Sequence, residues 1–347
     1  MRIVYLCSFN AIREAGPYRK IREHCQTWSK LGHDVRLVAT ISGDKRLPQH
    51  KSDCFETVDF CANSFIKKVL STKQIERSVR EFAPDLLYLR YQTVSPFVLR
   101  CSKIAPLVVE LNGLTRQNNV KQKLAYQLSK AWYKRHSAGF VVVTNEMIDL
   151  CKDIIADRPS AVVRNGVSLD AMHLAKTKSS GKSAVFVGNG VPWHGLDRLR
   201  MIAEYLPDWR FHLVCPRRQS WDLPNVSEYG FLPKSKYQQL LIDSTIGFGP
   251  LALERSGLSE ASALKIGEYL MHGLPFVVNY KETDMPVDSD FVFQIDDNQL
   301  GELQLKSMKR FMEYWSTHTF DPTPYFHTVD LNVLEKKRLK FFQGLVG

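Results

Sequence analysis

Short apolar runs recur along the whole chain, each followed by a polar loop and, between most of them, a stretch with helical spacing. Residues 3–6, 35–39, 86–89, 107–110, 139–143 and 161–163 form a first series, and residues 184–187, 211–214, 244–248, 276–278 and 291–293 a second. Runs without alternation suit strands buried on both faces of a parallel sheet. The intervening stretches supply the crossovers: Pro17 opens one, with Ile21, Cys25, Trp28 and Leu31 at helical spacing, and residues 75–82 and 121–136 form others. The fold class is therefore α/β, built of βαβ units with right-handed crossovers.

A chain of 347 residues is longer than one core usually serves. The polar, Gly/Ser-containing stretch 174–183 reads as a linker. This predicts two Rossmann-like, doubly wound domains, 1–170 and 171–319, facing a cleft between them. Residues 331–342 spell a basic amphipathic helix, and a terminal helix within about 320–347 is expected to pack back on the first domain, whose charge it shares.

Net charge is +11, but its distribution is uneven. Residues 1–165 hold 27 Lys and Arg against 15 Asp and Glu, whereas residues 166–347 hold 20 against 21. The basic half points to an anionic membrane surface or to nucleic acid, with an ordinary solubility surface as the plain alternative. Aromatic interleaving and a nucleic-acid motif are both missing, so a nucleic-acid-binding module is only a distant alternative and no nucleic-acid partner is expected. No apolar run approaches the roughly 18 residues of a membrane span. The first ten residues read as a buried strand and not as a signal peptide. Seven scattered cysteines without CxxC spacing suggest reduced thiols in a cytoplasmic protein, with neither a zinc site nor a disulfide framework. The loop after the first strand contains one glycine, Gly16, where a dinucleotide fingerprint needs three, so the spacing argues against an NAD site there.

Residues that suit an anionic ligand gather in the second half. Gly188 and Asn189 follow a strand, and Gly195 precedes a helix whose N-terminus favours an anion. His194 is placed to donate to a phosphate oxygen, or to serve as a capping or packing histidine. The turn 225–233, with Phe231, offers backbone groups to a planar base. In Glu260-Ala-Ser-Ala-Leu-Lys-Ile-Gly-Glu268, two carboxylates flank Lys265 at an expected helix start, with Glu268 opening an apolar turn that Gly273-Leu-Pro275 ends. Lys265 suits a diphosphate and Glu268 a pair of ribose or sugar hydroxyls, while Glu260 is placed to reach another part of the same ligand. In the first half, Glu110 and Asn112 end a buried strand and are expected to point out of the sheet edge, as is Arg90; Asn165 lies in the Asn-Gly turn that closes the first sheet. Each of these is equally open to a structural role as a cap or ion pair.

In order along the chain, these segments resemble the motifs of family-four retaining glycosyltransferases, which have the GT-B fold. Gly32-His-Asp-Val35 resembles GHxV, and Arg164-Asn-Gly-Val167 resembles PNGV. Phe186-Val-Gly188 with His194-Gly-Leu-Asp197 resembles FVG…KGxD, and Glu260 to Glu268 resembles the E-x7-E signature. The resemblance implies transfer of a sugar from a nucleotide-sugar, UDP- or GDP-linked, to a hydroxyl acceptor with retention of configuration, without a metal or other cofactor. It implies that Glu260 contacts donor-sugar hydroxyls, that Glu268 binds the ribose and that the loop near Gly16 closes over the diphosphate. Asn189 and His194 stand where the family carries cations, which leaves Lys265 as the substitute. The family's histidine after the strand ending at Glu110-Leu-Asn112 is also missing, so Glu110 or Asn112 would take its place near the sugar, with Arg90 and Asn165 on the acceptor side. The basic first half makes a lipid-linked or cell-surface glycan the expected acceptor, met at the inner face of the membrane by a peripheral enzyme. A nucleotide-sugar 2-epimerase of the same fold is the alternative.

Overall fold

A computed structural model of the chain describes residues 1–10, 15–42, 55–61, 65–113, 119–169, 181–286, 288–296 and 300–347. The chain divides into two units, residues 1–163 with 331–347 and residues 164–330.

The first unit runs β1 (Arg2–Asn10), α1 (Ala15–Lys30), β2 (Asp34–Ser42), β3 (Glu56–Cys61), α2 (Phe65–Phe82), β4 (Leu86–Arg90), α3 (Pro96–Cys101), β5 (Leu107–Leu111), α4 (Val120–His136), β6 (Gly139–Val142), α5 (Glu146–Leu150), α6 (Lys152–Ile155) and β7 (Ser160–Val162). Its seven strands lie in the order β3-β2-β1-β4-β5-β6-β7, and every pair is parallel. The order reverses direction between β1 and β4, the switch point at which open sheets of this kind place ligands beyond their strand ends.

The second unit runs β8 (Ser183–Val187), α7 (Leu196–Tyr205), β9 (Arg210–Val214), β10 (Val226–Glu228), α8 (Lys234–Ile242), β11 (Ile246–Phe248), β12 (Glu260–Ala261), α9 (Leu264–Met271), β13 (Phe276–Val278), β14 (Lys281–Glu282), β15 (Val292–Gln294), α10 (Glu302–Trp315) and α11 (Phe326–Val329). Its main sheet is also parallel, in the order β10-β9-β8-β11-β13-β15, with β12 and β14 forming a separate pair. The switch point here falls between β8 and β11. This is the mixed α/β, twice-Rossmann-like architecture of the GT-B fold.

Apolar content explains where the strands form. Ile3 to Cys7 of β1 and Leu86 to Leu89 of β4 have no solvent exposure, because helices cover both faces of the sheet. The last helix, α12 (Leu331–Val346), belongs to the first unit and buries Leu334, Leu339 and Phe342. The Phe342 ring lies 5.7 Å from Trp28 and 5.0 Å from Tyr88. Its lysines 336, 337 and 340 are exposed, whereas Glu335 and Arg338 are fully buried. With this helix counted in, the first unit holds 30 Lys and Arg against 16 Asp and Glu, and the second 17 against 20.

Three sequence expectations change. The first unit ends at Val163, not at residue 170, so Arg164 to Val167 belong to the second unit. Helix α9 begins at Leu264, which puts Lys265 in its first turn and Glu268 one turn further in, so Glu268 does not open the helix. The turn at 225–233 contains a strand, β10, paired with β9. The linker residues 174–180 and the loop residues 11–14 lie outside the described residues.

Candidate functional site

The second unit gathers a cluster around the carboxyl end of β8. Gly188 follows that strand and donates its N–H to the Val214 carbonyl at 3.0 Å. A Cβ at Gly188 would stand 2.8 Å from both the His194 ring and the Phe186 ring, so only glycine lets the loop close on these two rings. The His194 and Phe186 rings meet edge to face at 5.4 Å. Burial, with the nearby Lys265 ammonium, pushes the His194 pKa down to about 2. The imidazole is therefore neutral, and does not replace the cation that the motif comparison found missing. Asn189, beside it, is exposed.

Two loops are laced together behind this cluster. The Leu251 N–H donates to the His194 carbonyl at 3.1 Å, and the Ala252 N–H to the Trp193 carbonyl at 3.2 Å. Gly195 takes a left-handed conformation (φ +64°) that leads into α7. Arg198 on α7 donates to the Leu251 carbonyl and to Glu254, and Arg255 grips Asp197 through two bonds of 2.7 and 2.6 Å. Asp197 thus helps to order the loop.

Lys265 supplies the cluster's charge. Its Nζ is buried, lies 4.2 Å from the centre of the Phe186 ring, and makes no hydrogen bond among the described residues. Burial lowers its pKa to about 7, a shift that Cys215 and Glu268 only partly oppose. A desolvated ammonium whose main contact is an aromatic face lacks the hydrogen-bonding partners it would have in water. An anion is the kind of group that would supply them.

Glu268, almost wholly buried, accepts from the Tyr237 hydroxyl at 3.2 Å on each oxygen and lies 3.7 Å from the Lys234 ammonium. Both partners stand on α8, which begins three residues after Phe231, itself 64% exposed.

Glu260 stands on β12, half-buried, 3.3 Å from Lys281 on the facing β14. The loop that carries it is fixed from an unexpected side. Asn165 donates its backbone N–H to Ser262 Oγ at 2.9 Å and its Nδ2 to the Ser262 carbonyl at 2.6 Å. Ser262 Oγ in turn donates to Asp284 at 2.9 Å, and Arg164 Nε lies 3.3 Å from the same carboxylate. A Cβ on Gly267 would come within 3.0 Å of Val167, so the helix start and the Asn-Gly segment approach closely. Asn165 was expected to close the first sheet; it instead belongs to the second unit and holds the loop of the E-x7-E signature. Asp284 and Glu282 are both buried: burial raises the Asp284 pKa to about 6 against the pull of Arg164 and Ser262, and burial with repulsion from Asp284 raises that of Glu282 to about 8.

In the first unit, the expectation that Glu110 points out of the sheet edge is corrected. Its carboxylate is fully enclosed, accepting from Tyr5 Oη at 2.8 Å and Lys20 Nζ at 2.9 Å, with Arg338 Nη1 at 3.6 Å. Burial would raise its pKa, but Lys20 and Arg338 hold it well below the usual carboxylate range. Arg338 also donates to Glu335 at 2.8 Å, which accepts from Trp28 Nε1 at 2.6 Å. Asn112 is half-buried and accepts from Lys20 at 2.8 Å. Arg90 ends β4 in register with Glu110, and Gly16 lies at the start of α1. Glu110 is therefore occupied by structure, leaving Asn112 and Arg90 as the more accessible polar groups at these strand ends. Sequence reasoning missed Phe186, Tyr237, Ser262 and Asp284 as parts of the cluster; each is an aromatic or polar residue whose partner is distant in sequence.

Residues 19–171 match the family model described as Glycosyltransferase Family 4. The fold is similar over its whole length to a glycosyltransferase from Rickettsia africae ESF-5 (14% identity, 99% of each chain, TM-score 0.73). It is similar also to Anabaena Alr3699/HepE in complex with UDP-glucose (12% identity, 99% of this chain and 100% of the other, TM-score 0.70). A third is S. aureus TarM in complex with fondaparinux, alpha-GlcNAc-glycerol and UDP (9% identity, 100% of this chain and 99% of the other, TM-score 0.74). No curated protein matches the sequence. The family model thus covers part of the first unit, and the fold over the whole length is that of the GT-B structures to which the chain is similar. Among the described residues, no helix is long and apolar enough to cross a membrane, and no group of His, Cys, Asp and Glu is arranged to hold a metal ion.

Proposed function

We propose that the protein moves a sugar from a nucleotide-sugar to a hydroxyl acceptor, with retention of configuration. The observation that carries this reading is Lys265, a buried ammonium without a hydrogen-bond partner among the described residues, beside the Gly188 turn. A donor diphosphate at this point gives the ammonium its counter-charge, and the low-dielectric surroundings strengthen their attraction. As the bond to the sugar breaks, negative charge grows on the leaving phosphate, and Lys265 stabilises the transition state more than the ground state. The phosphate oxygen accepts the acceptor hydroxyl's proton on the face it leaves, so the reading requires no protein nucleophile and no divalent metal. Glu268, held by Tyr237, takes the ribose hydroxyls, and Glu260 the hydroxyls of the donor sugar.

UDP is the favoured carrier: Anabaena HepE is similar in fold and was solved with UDP-glucose, and TarM with UDP. The acceptor is a lipid-linked or surface glycan at an anionic leaflet. The charge of the first unit supports this reading, as does the fold's likeness to the lipopolysaccharide outer core galactosyltransferase WaaB (10% identity, TM-score 0.66). Calorimetric titration with UDP and GDP tests the donor site: UDP binds the wild type, and Lys265→Ala loses at least about tenfold in affinity. Equal affinity in the two proteins would overturn the assignment of Lys265. A product assay showing free UDP supports transfer, and an epimerised nucleotide-sugar would refute it.

A further inference from the structure

Helix α4 is anchored by one face only. Its buried side chains are Ser129 and Tyr133: Tyr133 Oη donates to the Gln92 carbonyl at 2.9 Å, and Ser129 Oγ accepts from the Val94 N–H at 3.0 Å. Turned away from that face are Val120, Leu124 and Leu128, exposed by 80, 61 and 64%. Their four-residue spacing puts them on one stripe of the helix. A single exposed leucine is ordinary, but three aligned on one helix are not.

The charge around that stripe has one sign. The 17 residues of α4 contain no Asp or Glu, and they hold Lys121, Lys123, Lys130, Lys134 and Arg135. Lys130 is bound to Asp153 at 2.5 Å, while the other four make no ion pair among the described residues. At 100° per residue, Lys123 and Lys134 border one side of the stripe, Lys121 borders the other, and Arg135 continues its line. Arg158 adds a further cation at the helix end, donating to the carbonyls of Lys134 and Arg135 at 3.3 and 2.8 Å. Trp132, half-buried, stacks on His136 at 4.7 Å beside the same end.

We infer that α4 is the element by which the protein docks on an anionic bilayer surface, lying in the headgroup plane with Val120, Leu124 and Leu128 turned into the acyl boundary. An apolar stripe bordered by lysines is the pattern of an interfacial helix, in which buried apolar area and attraction to anionic lipid add together. A second copy of the chain fits poorly, because pairing two such faces would bring at least eight unpaired cations together. The first unit's charge, 30 cations against 16 anions, favours the same anionic partner over an apolar surface alone. The inference deepens the proposed reading of a membrane-borne acceptor, but docking itself does not depend on turnover.

The test is sedimentation of the full chain with vesicles of phosphatidylcholine alone and of phosphatidylcholine mixed with phosphatidylglycerol, without donor or acceptor. The wild type should pellet with the mixed vesicles and stay in solution with the neutral ones. Leu124→Asp/Leu128→Asp should lower partitioning by about tenfold or more, and Lys121→Glu/Lys123→Glu by a similar factor that shrinks in high salt. Both pairs are surface changes, and unchanged thermal unfolding would show that the fold is kept. Equal recovery of the wild type with both vesicle types would overturn the inference, as would variants that pellet like the wild type. A wild-type dimer that the leucine variants dissolve, with no vesicle binding, would assign the face to self-association instead. Docking without transfer to any glycan would count against the proposed function and leave this inference standing.

Discussion

Both units bury charged side chains, but they finish them differently. In the first unit, two carboxylates, Glu110 and Glu335, meet two cations, Lys20 and Arg338, and each makes a hydrogen bond at 2.8 or 2.9 Å to a group within the cluster. His24, packed among them with its pKa down to about 4 through burial, stays neutral and leaves the balance even. In the second unit, the Lys265 ammonium is also buried, yet it meets a phenyl ring instead of an oxygen. A closed network spends its electrostatics on holding helices in place. An open one keeps a charge in reserve for a ligand, at some cost in stability. The contrast separates charged groups with partners inside the fold from one whose ammonium has no hydrogen-bond partner among the described residues.

The largest effect should come from opening the closed network. Arg338→Met removes one cation and leaves Glu335 and Glu110 short of charge, so the first unit should lose about 3–5 kcal/mol of stability. A urea unfolding curve reads this directly, and an unchanged midpoint would show that the network contributes little. Next comes Lys265→Ala. Turnover should fall by about 100- to 1,000-fold, the loss typical of removing a donor that faces developing charge. The unfolding midpoint should hold or rise, because a buried, unsatisfied cation has gone. A parallel loss of stability and turnover would erase the distinction between the two units.

The third effect follows from the Lys265 pKa of about 7 in the free protein. A bound diphosphate stabilises the ammonium and raises that pKa, so binding takes up a proton wherever the free lysine is neutral. Donor affinity should therefore be flat below about pH 7 and weaken above it, by up to about tenfold per pH unit. Calorimetry in buffers of different ionisation enthalpy measures the proton uptake, and none above pH 7 would sink the linkage. The smallest expected effect is that of a chelator: with Lys265 countering the leaving charge, turnover in EDTA should equal turnover without it. A loss restored by a divalent ion would show that the lysine does not suffice.

Much of the fold was legible because buried parallel strands announce themselves as apolar runs, and those at 86–89, 107–110, 184–187 and 276–278 lie within or close to the observed strands. Strands β3, β10, β12 and β14 were not, since they are polar-rich, at a sheet edge or only two residues long. At the site, Lys265 stood out as a cation between two acids near a helix start. Glu110 misled for a physical reason: a carboxylate ending an apolar run reads as exposed unless its partner is seen, and Arg338 lies 228 positions away. Asn165 was placed with the wrong unit because a composition break marks where a chain turns polar, whereas the unit boundary is set by what the backbone touches, here Ser262.

The return of α12 to the first unit also has a meaning in time. Synthesis delivers β1 to β7 first, but the two side chains that complete their buried charge, Glu335 and Arg338, emerge after the whole of the second unit. The second unit, continuous from Arg164 to Asp330, has all its parts while the first still waits with Glu110 and Lys20 lacking Arg338. Domains fold as units as the chain grows. Here the half that is made first is the half that is finished last, and a nascent chain stopped short of residue 338 would carry an unsealed N-terminal core.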